Sequence, residues 1–294
     1  MDLYRFPKTS SWPVGESGNG EPGAGRRAAP RRPPPRYQGA GTWKAAAFPL
    51  LFFLIIPVVG LFLYTSPADV IAHAGSPTVR KAVGLSIWTT GVTTVLAVAA
   101  GMPVAYLIPR LRRRLRRVLE TVIDLPVVLP PAVAGVALLI TFGRRGLLGT
   151  YLNAAGITIS FTPAAVVMAQ LFVASPFFVK AASIGFGSVS RELKEAAALD
   201  GASGMRIFRH ITLPLTAGAL TSGAILTWAR ALGEFGATII FAGNFPGRTQ
   251  TMPLAIYLGF EMDLGVALTL SIILVATSFL VMSITRLLMS HAEV

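Results

Sequence analysis

Two charged residues, Arg230 and Glu234, stand in the apolar run Trp228-Ala229-Arg230-Ala231-Leu232-Gly233-Glu234-Phe235-Gly236. A charge at the centre of a bilayer costs from about 2.5–3.5 kcal/mol on insertion scales to far more in simulations, so both should face a protein interior or a cavity. Four residues apart, they share a helix face and can pair. Such a pair either lines a solute pathway, with Arg230 offering positive charge to an anion, or holds helices in register. Exchanging the two charges is then expected to be better tolerated than changing one. Gly233 and Gly236 would let the chain bend or a backbone approach. In another apolar run, Pro130 and Pro131 remove hydrogen bonds, and irregular backbone is tolerated in lipid only against protein or a watery cavity. These six residues are the candidate pathway or gate. Reactive groups are few. There is no cysteine, and His73, His210 and His291 fall in separate segments. No Gly-rich turn ends in Lys-Ser or Lys-Thr, and neither a zinc-protease nor a nucleophile-elbow motif is found. No catalytic, cofactor or metal residue is therefore assigned, and the chain should not bind ATP itself.

A second group of residues is suited to docking. Glu195-Ala196-Ala197-Ala198-Leu199-Asp200-Gly201 is followed by Ile211-Thr212-Leu213-Pro214. Ser190 is a plausible N-cap for a short helix, with Glu192 placed to suit its dipole. Gly201 can adopt the left-handed conformation that stops this helix. Ser203 can cap a second short helix through His210, and Pro214 fits the first turn of the next long one. The product is a helix-turn-helix outside the membrane, over residues 185–213. Its alanines admit another backbone, and Glu192, Glu195 and Asp200 offer carboxylates to a basic partner. The plainer alternative is an amphipathic connector under a helical bundle.

The elements that must position these residues are membrane helices. The chain is 53% hydrophobic and only 13% charged, with mean hydropathy +0.64, whereas a soluble domain carries nearer a quarter charged residues. The expected fold is all-α, with about six transmembrane helices at residues 44–66, 82–108, 121–142, 162–184, 214–241 and 265–289. The first could be read as a signal peptide, but its apolar run is too long for a signal core and suits an uncleaved anchor. Residues 1–43, rich in Arg, Pro and Gly, are expected to be a disordered cytoplasmic arm.

The net charge of +13 lies mostly in that arm and in Arg110-Leu111-Arg112-Arg113-Arg114-Leu115-Arg116-Arg117, both flanking apolar spans. This is a positive-inside pattern with attraction to anionic membrane lipids, and no nucleic-acid partner is expected. Leaving the long arm aside, 11 Lys and Arg on one side against 5 on the other place both termini in the cytoplasm. Lys180, near the inner end of its span, can snorkel to the interface.

The spacing Glu-Ala-Ala, three residues, Gly, nine residues, Ile-x-Leu-Pro resembles the signature loop of binding-protein-dependent ABC importer permeases. Glu195, Ala196, Ala197, Gly201, Ile211, Leu213 and Pro214 fill its fixed positions. The likeness extends over residues 82–288, the permease core. Leu129-Pro130-Pro131, Phe142-Gly143-Arg144-Arg145-Gly146, Arg230-Ala231-Leu232-Gly233-Glu234-Phe235-Gly236-Ala237-Thr238 and Ala242-Gly243-Asn244-Phe245-Pro246-Gly247-Arg248-Thr249-Gln250-Thr251 are similar to the tetrahedral-oxyanion branch, nearest the molybdate permeases. Sulfate/thiosulfate permeases share the Arg-Ala-x-Gly-Glu core. The resemblance implies a type I importer permease fold in a bacterial-type inner membrane. It implies a homodimer with a second permease copy, two ABC ATPase subunits docked on the coupling loop, and an extracytoplasmic oxyanion-binding protein. Molybdate is the expected solute, with tungstate a co-substrate and sulfate or thiosulfate the alternative. An ATP-independent anion channel or secondary transporter is the competing class.

Overall fold

In the computed structural model residues 40–290 are described, with side-chain surroundings given for 46–285. The expectations for residues 1–39 therefore lie outside the described part. The chain divides into two units at Phe52 and Phe53. Among the described residues every regular element is helical, as expected of backbone that must satisfy its own hydrogen bonds in lipid. In order these are α1 (Ala40–Tyr64), α2 (Pro67–Ala74), α3 (Pro77–Leu107), α4 (Arg113–Val128), α5 (Pro131–Phe142), α6 (Gly149–Ala154), α7 (Pro163–Ser188), α8 (Arg191–Leu199), α9 (Gly204–Ile207), α10 (Leu213–Leu232), α11 (Gly236–Phe241), α12 (Met252–Met262) and α13 (Leu264–Ser290). Five helical stretches are long and apolar enough to cross a membrane, or six if the bent pair α4–α5 counts as one.

Short polar signals set the helix starts. Ser66 and Ser76 cap α2 and α3 through their side chains, each followed by proline in the first helical turn. Thr162-Pro163 and Pro130-Pro131 begin α7 and α5 in a related way.

The core is a layer of α3, α7 and α10 joined through small residues. A Cβ on Gly101 of α3 would lie 2.9 Å from the Phe178 ring, and one on Gly223 of α10 would lie 2.9 Å from Ala181. Such contacts replace the hydrophobic drive that lipid cannot supply between helices. Two polar links fix register: Thr93 donates to Gln170 at 3.0 Å, and the Met252 amide donates to Ser86 at 2.7 Å.

The structure changes four expected boundaries. Residues 121–142 are not one helix, because α4 and α5 meet at 108° across Leu129 and Pro130. Pro130 cannot donate into a helix, and the residue before a proline is driven to extended backbone; Leu129 has ψ 136°. Residues 214–241 are likewise interrupted at 233–235. The second short helix and the next long one are not separate: α9 passes through a π-turn at Phe208–Thr212 into α10, giving one stretch from Gly204 to Leu232. Finally, α12 lies between the fifth and sixth expected spans, where the sequence assigns no helix. Its 11 residues are too few for a span and too uniformly apolar for a periodicity signal.

Candidate functional site

The helix-turn-helix is built from local caps. Ser190 Oγ accepts the Leu193 amide at 3.2 Å, and Ser203 Oγ accepts that of Arg206 at 3.4 Å. Between them Gly201 has φ +80°, and the Ala202 amide returns to the Ala197 carbonyl at 3.0 Å, closing the end of α8. Glu195 and Ala196 are exposed and Ala197 is half-buried. Leu199 is 90% exposed and Met205 74%, so the turn presents apolar side chains that nothing among the described residues covers.

Charge is distributed unequally around that surface. Arg191 Nε contacts Glu195 Oε1, and this hydrogen bond and charge raise the Arg191 pKa above its ordinary value. Lys194 turns the other way and donates to the Val189 carbonyl at 3.1 Å. Burial, with a smaller push from Arg110, lowers its pKa. The second half of the signature is structural rather than exposed. Ile211 and Leu213 are half-buried at the root of α10, next to buried Thr212, while Pro214 is exposed.

The link from the turn to the membrane helices is aromatic. Phe208, opening the π-turn, meets Tyr106 of α3 edge-on with centroids 4.8 Å apart, and Tyr106 meets Phe186 of α7 at 5.4 Å. The Arg110 guanidinium lies 3.4 Å above the Tyr106 ring. Sequence reasoning missed this cluster. Its members are far apart in the chain, and an aromatic near a helix end carries no signal of what it touches.

The second site lies where α10 stops. Arg230 occupies its last turn, and Glu234 lies just beyond it, 1% exposed. Glu234 Oε1 accepts the Ala237 amide at 2.8 Å, capping α11. Oε2 sits 2.8 Å from Arg230 Nη1 but out of line with its N–H, so that contact is a charge pair rather than an aligned hydrogen bond. The helix break follows from this cap: a carboxylate that satisfies the first turn of α11 cannot also lie within a continuous helix. Gly236 makes room for α5, since a Cβ there would stand 2.7 Å from Pro131 Cβ. Gly135 does the same from α5, 2.9 Å from the Ala237 carbonyl. Glu234, Gly236, Pro131 and its neighbour Pro130 are thus gathered at one junction, with Arg230 at its edge. Gly233 is exposed and has only the Ala229 carbonyl, at 3.9 Å, near its Cβ position.

A third charged pair joins α4 to α7: Lys180 Nζ lies 2.8 Å from Asp124 Oδ1. The sequence placed both in apolar spans but could not pair residues on separate helices.

Residues 97–292 match the family described as the binding-protein-dependent transport system inner membrane component. The chain belongs to this family. It is a multi-pass inner-membrane permease. It is similar to the molybdenum transport system permease protein ModB of Mycobacterium tuberculosis, 42% identical over 229 residues, covering 78% of this chain and 87% of that protein. It is also similar to the probable transport system permease protein NifC of Clostridium pasteurianum, 37% identical over 235 residues, covering 80% and 82%. The permease shares its fold with a chain of the bacterial alginate ABC transporter in complex with an alginate pentasaccharide-bound periplasmic protein (TM-score 0.66, 15% identity, covering 83% and 91%).

Proposed function

We propose that this permease forms the membrane pathway of an ATP-driven molybdate importer, driven by a separate ATPase docked on its α8–α9 turn. The 42% identity to a molybdenum permease across 78% of the chain carries the solute assignment. The exposure of Leu199 on the α8–α9 turn, 90% among the described residues, supports the docking surface. Two copies of the permease enclose the pathway, two ATPase subunits sit beneath them, and an extracytoplasmic protein delivers the oxyanion. Both termini are cytoplasmic, which puts Glu195, Ala196, Ala197 and Gly201 on the side where ATP is hydrolysed.

The coupling works as a bias on a two-state bundle. When the ATPases close, they move α8. The turn shares one stiff stretch with α10 and grips α3 and α7 through Phe208, so displacement there rotates helix ends rather than dissipating in a loop. At the far end of α10, the Arg230–Glu234 junction ties this motion to α5 and α11. Arg230 keeps more N–H donors than one carboxylate oxygen can engage, leaving positive character beside the pathway.

The decisive experiment is uptake of labelled molybdate by vesicles holding the complete transporter, with excess sulfate as competitor. Uptake that requires ATP and resists sulfate is expected. Sulfate-sensitive uptake would reassign the solute to sulfate or thiosulfate. Sustained flux through the permease reconstituted without any ATPase would refute the coupled mechanism in favour of a channel.

A further inference from the structure

The Lys180–Asp124 pair has no part in the reading above. Lys180 lies eight residues before the end of α7, roughly 12 Å along an ideal helix, within the apolar stretch Pro163–Ser188. Charges at such depth are held by partners or by a hydrated cavity, and here a partner and a cavity are both present. A cavity of about 550 Å³ opens between the end of α3, α4 and α7, and Lys180, Asp124, Arg116, Glu120 and Ser183 line it. A second pair faces the same space, Arg116 Nε to Glu120 Oε1 at 2.8 Å. That volume is many times the ~30 Å³ one water occupies in the liquid, so it can hold a hydrated oxyanion. The Lys180 side chain is 54% exposed, so its ammonium reaches both the carboxylate and the space.

We propose that this cavity is an oxyanion station on the cytoplasmic side of the pathway, with Lys180 as the switching ligand and Arg116 as its second cation. The placement rests on the orientation in the importer reading. When a tetrahedral oxyanion enters, Lys180 leaves Asp124 for the anion and Asp124 turns to water. When the anion departs, the pair re-forms. Asp124 is therefore a built-in competitor, which keeps the station weak and favours release into the cytoplasm, where an importer must let its cargo go. The same chemistry would hold the phosphate of an anionic lipid in the inner leaflet.

The test uses the assembled permease–ATPase complex in nanodiscs without the binding protein, measuring equilibrium retention of tungstate, sulfate and phosphate. Asp124→Asn removes the competitor while leaving the lysine, and is expected to tighten retention of at least one of these anions about tenfold. Lys180→Gln, alone or with Asp124→Asn, is expected to return retention to background. Discs of phosphatidylcholine alone and discs containing phosphatidylglycerol separate the two sources. If a lipid phosphate is the ligand, Asp124→Asn instead enriches phosphatidylglycerol in the purified complex, and Lys180→Gln abolishes that enrichment. Assembly and basal ATPase activity verify that each variant is folded. Should Asp124→Asn retain no more anion or lipid than the parent, or should the double variant retain as much as Asp124→Asn, the station is refuted. An error in the molybdate assignment would change only which anion is retained.

Discussion

The Arg230–Glu234 junction can be perturbed one interaction at a time. Glu234→Gln keeps an oxygen for the Ala237 amide but removes the charge facing Arg230. Removing one member of a fully buried pair costs about 3–5 kcal/mol because the other charge is stranded. Arg230 is 29% exposed and can recover some hydration, so about 2 kcal/mol is expected for Glu234→Gln. Glu234→Ala loses the cap as well, adding about 1 kcal/mol. Arg230→Gln strands a carboxylate that is 1% exposed, and should cost more than Glu234→Gln, about 3 kcal/mol. The double change Arg230→Gln with Glu234→Gln strands nothing and should cost about 2 kcal/mol or less, so against about 5 kcal/mol for the two single changes summed the cycle returns a coupling of about 3 kcal/mol or more. The assay is reversible unfolding of the purified permease in mixed micelles by SDS titration. Additive single and double costs would refute the ion-pair account. The structure also corrects the expectation for charge exchange. Arg230→Glu with Glu234→Arg brings a donor-only side chain to the Ala237 N–H, so it loses the cap and is not expected to rescue either single change.

Three further outcomes concern the α8–α9 turn. Gly201→Val forces a β-branched residue to φ +80°, costing about 1–2 kcal/mol locally; ATPase stimulation by the loaded binding protein should fall while membrane insertion, read by topology tags, stays normal. Phe208→Ala removes the ring packed on Tyr106 and should leave the complex assembled on gel filtration but hydrolysing ATP with reduced molybdate uptake per turnover; unchanged stoichiometry would remove Phe208 from the transmission. Lys194, whose pKa burial lowers, holds a larger neutral fraction at a given alkaline pH and should react with an amine-directed reagent at lower pH than an ordinary lysine. Its linkage has a matching sign: between the lowered folded value and the ordinary one the unfolded chain binds more protons, so Lys194 makes stability rise with pH there.

Composition and spacing alone determined the membrane class and the helical fold, because both depend on local or periodic features; the family was legible through the resemblance of the motif at residues 195–214 to a known signature. A span is a run of apolar residues, a cap is a serine at a fixed offset, and the Gly201 turn is a glycine where positive φ is needed. Those features survived folding because lipid leaves the backbone no alternative to helix. What the tertiary structure decided is where that continuity is broken and what meets there. Glu234 was legible as a membrane charge, but not as the cap that restarts the chain at α11, since a cap is recognised only once the helix it serves is known. Pro130 and Pro131 mark irregular backbone in the sequence, but the 108° angle of that corner and the packing of Pro131 against Gly236 are set by the tertiary structure. From its own span Lys180 is a lysine able to snorkel to the interface, whereas the fold pairs it with Asp124 on another helix. The aromatic cluster of Tyr106, Phe186 and Phe208 was unreadable for the same reason: long-range side-chain contacts are fixed by how helices pack, and no spacing within one helix encodes its neighbour.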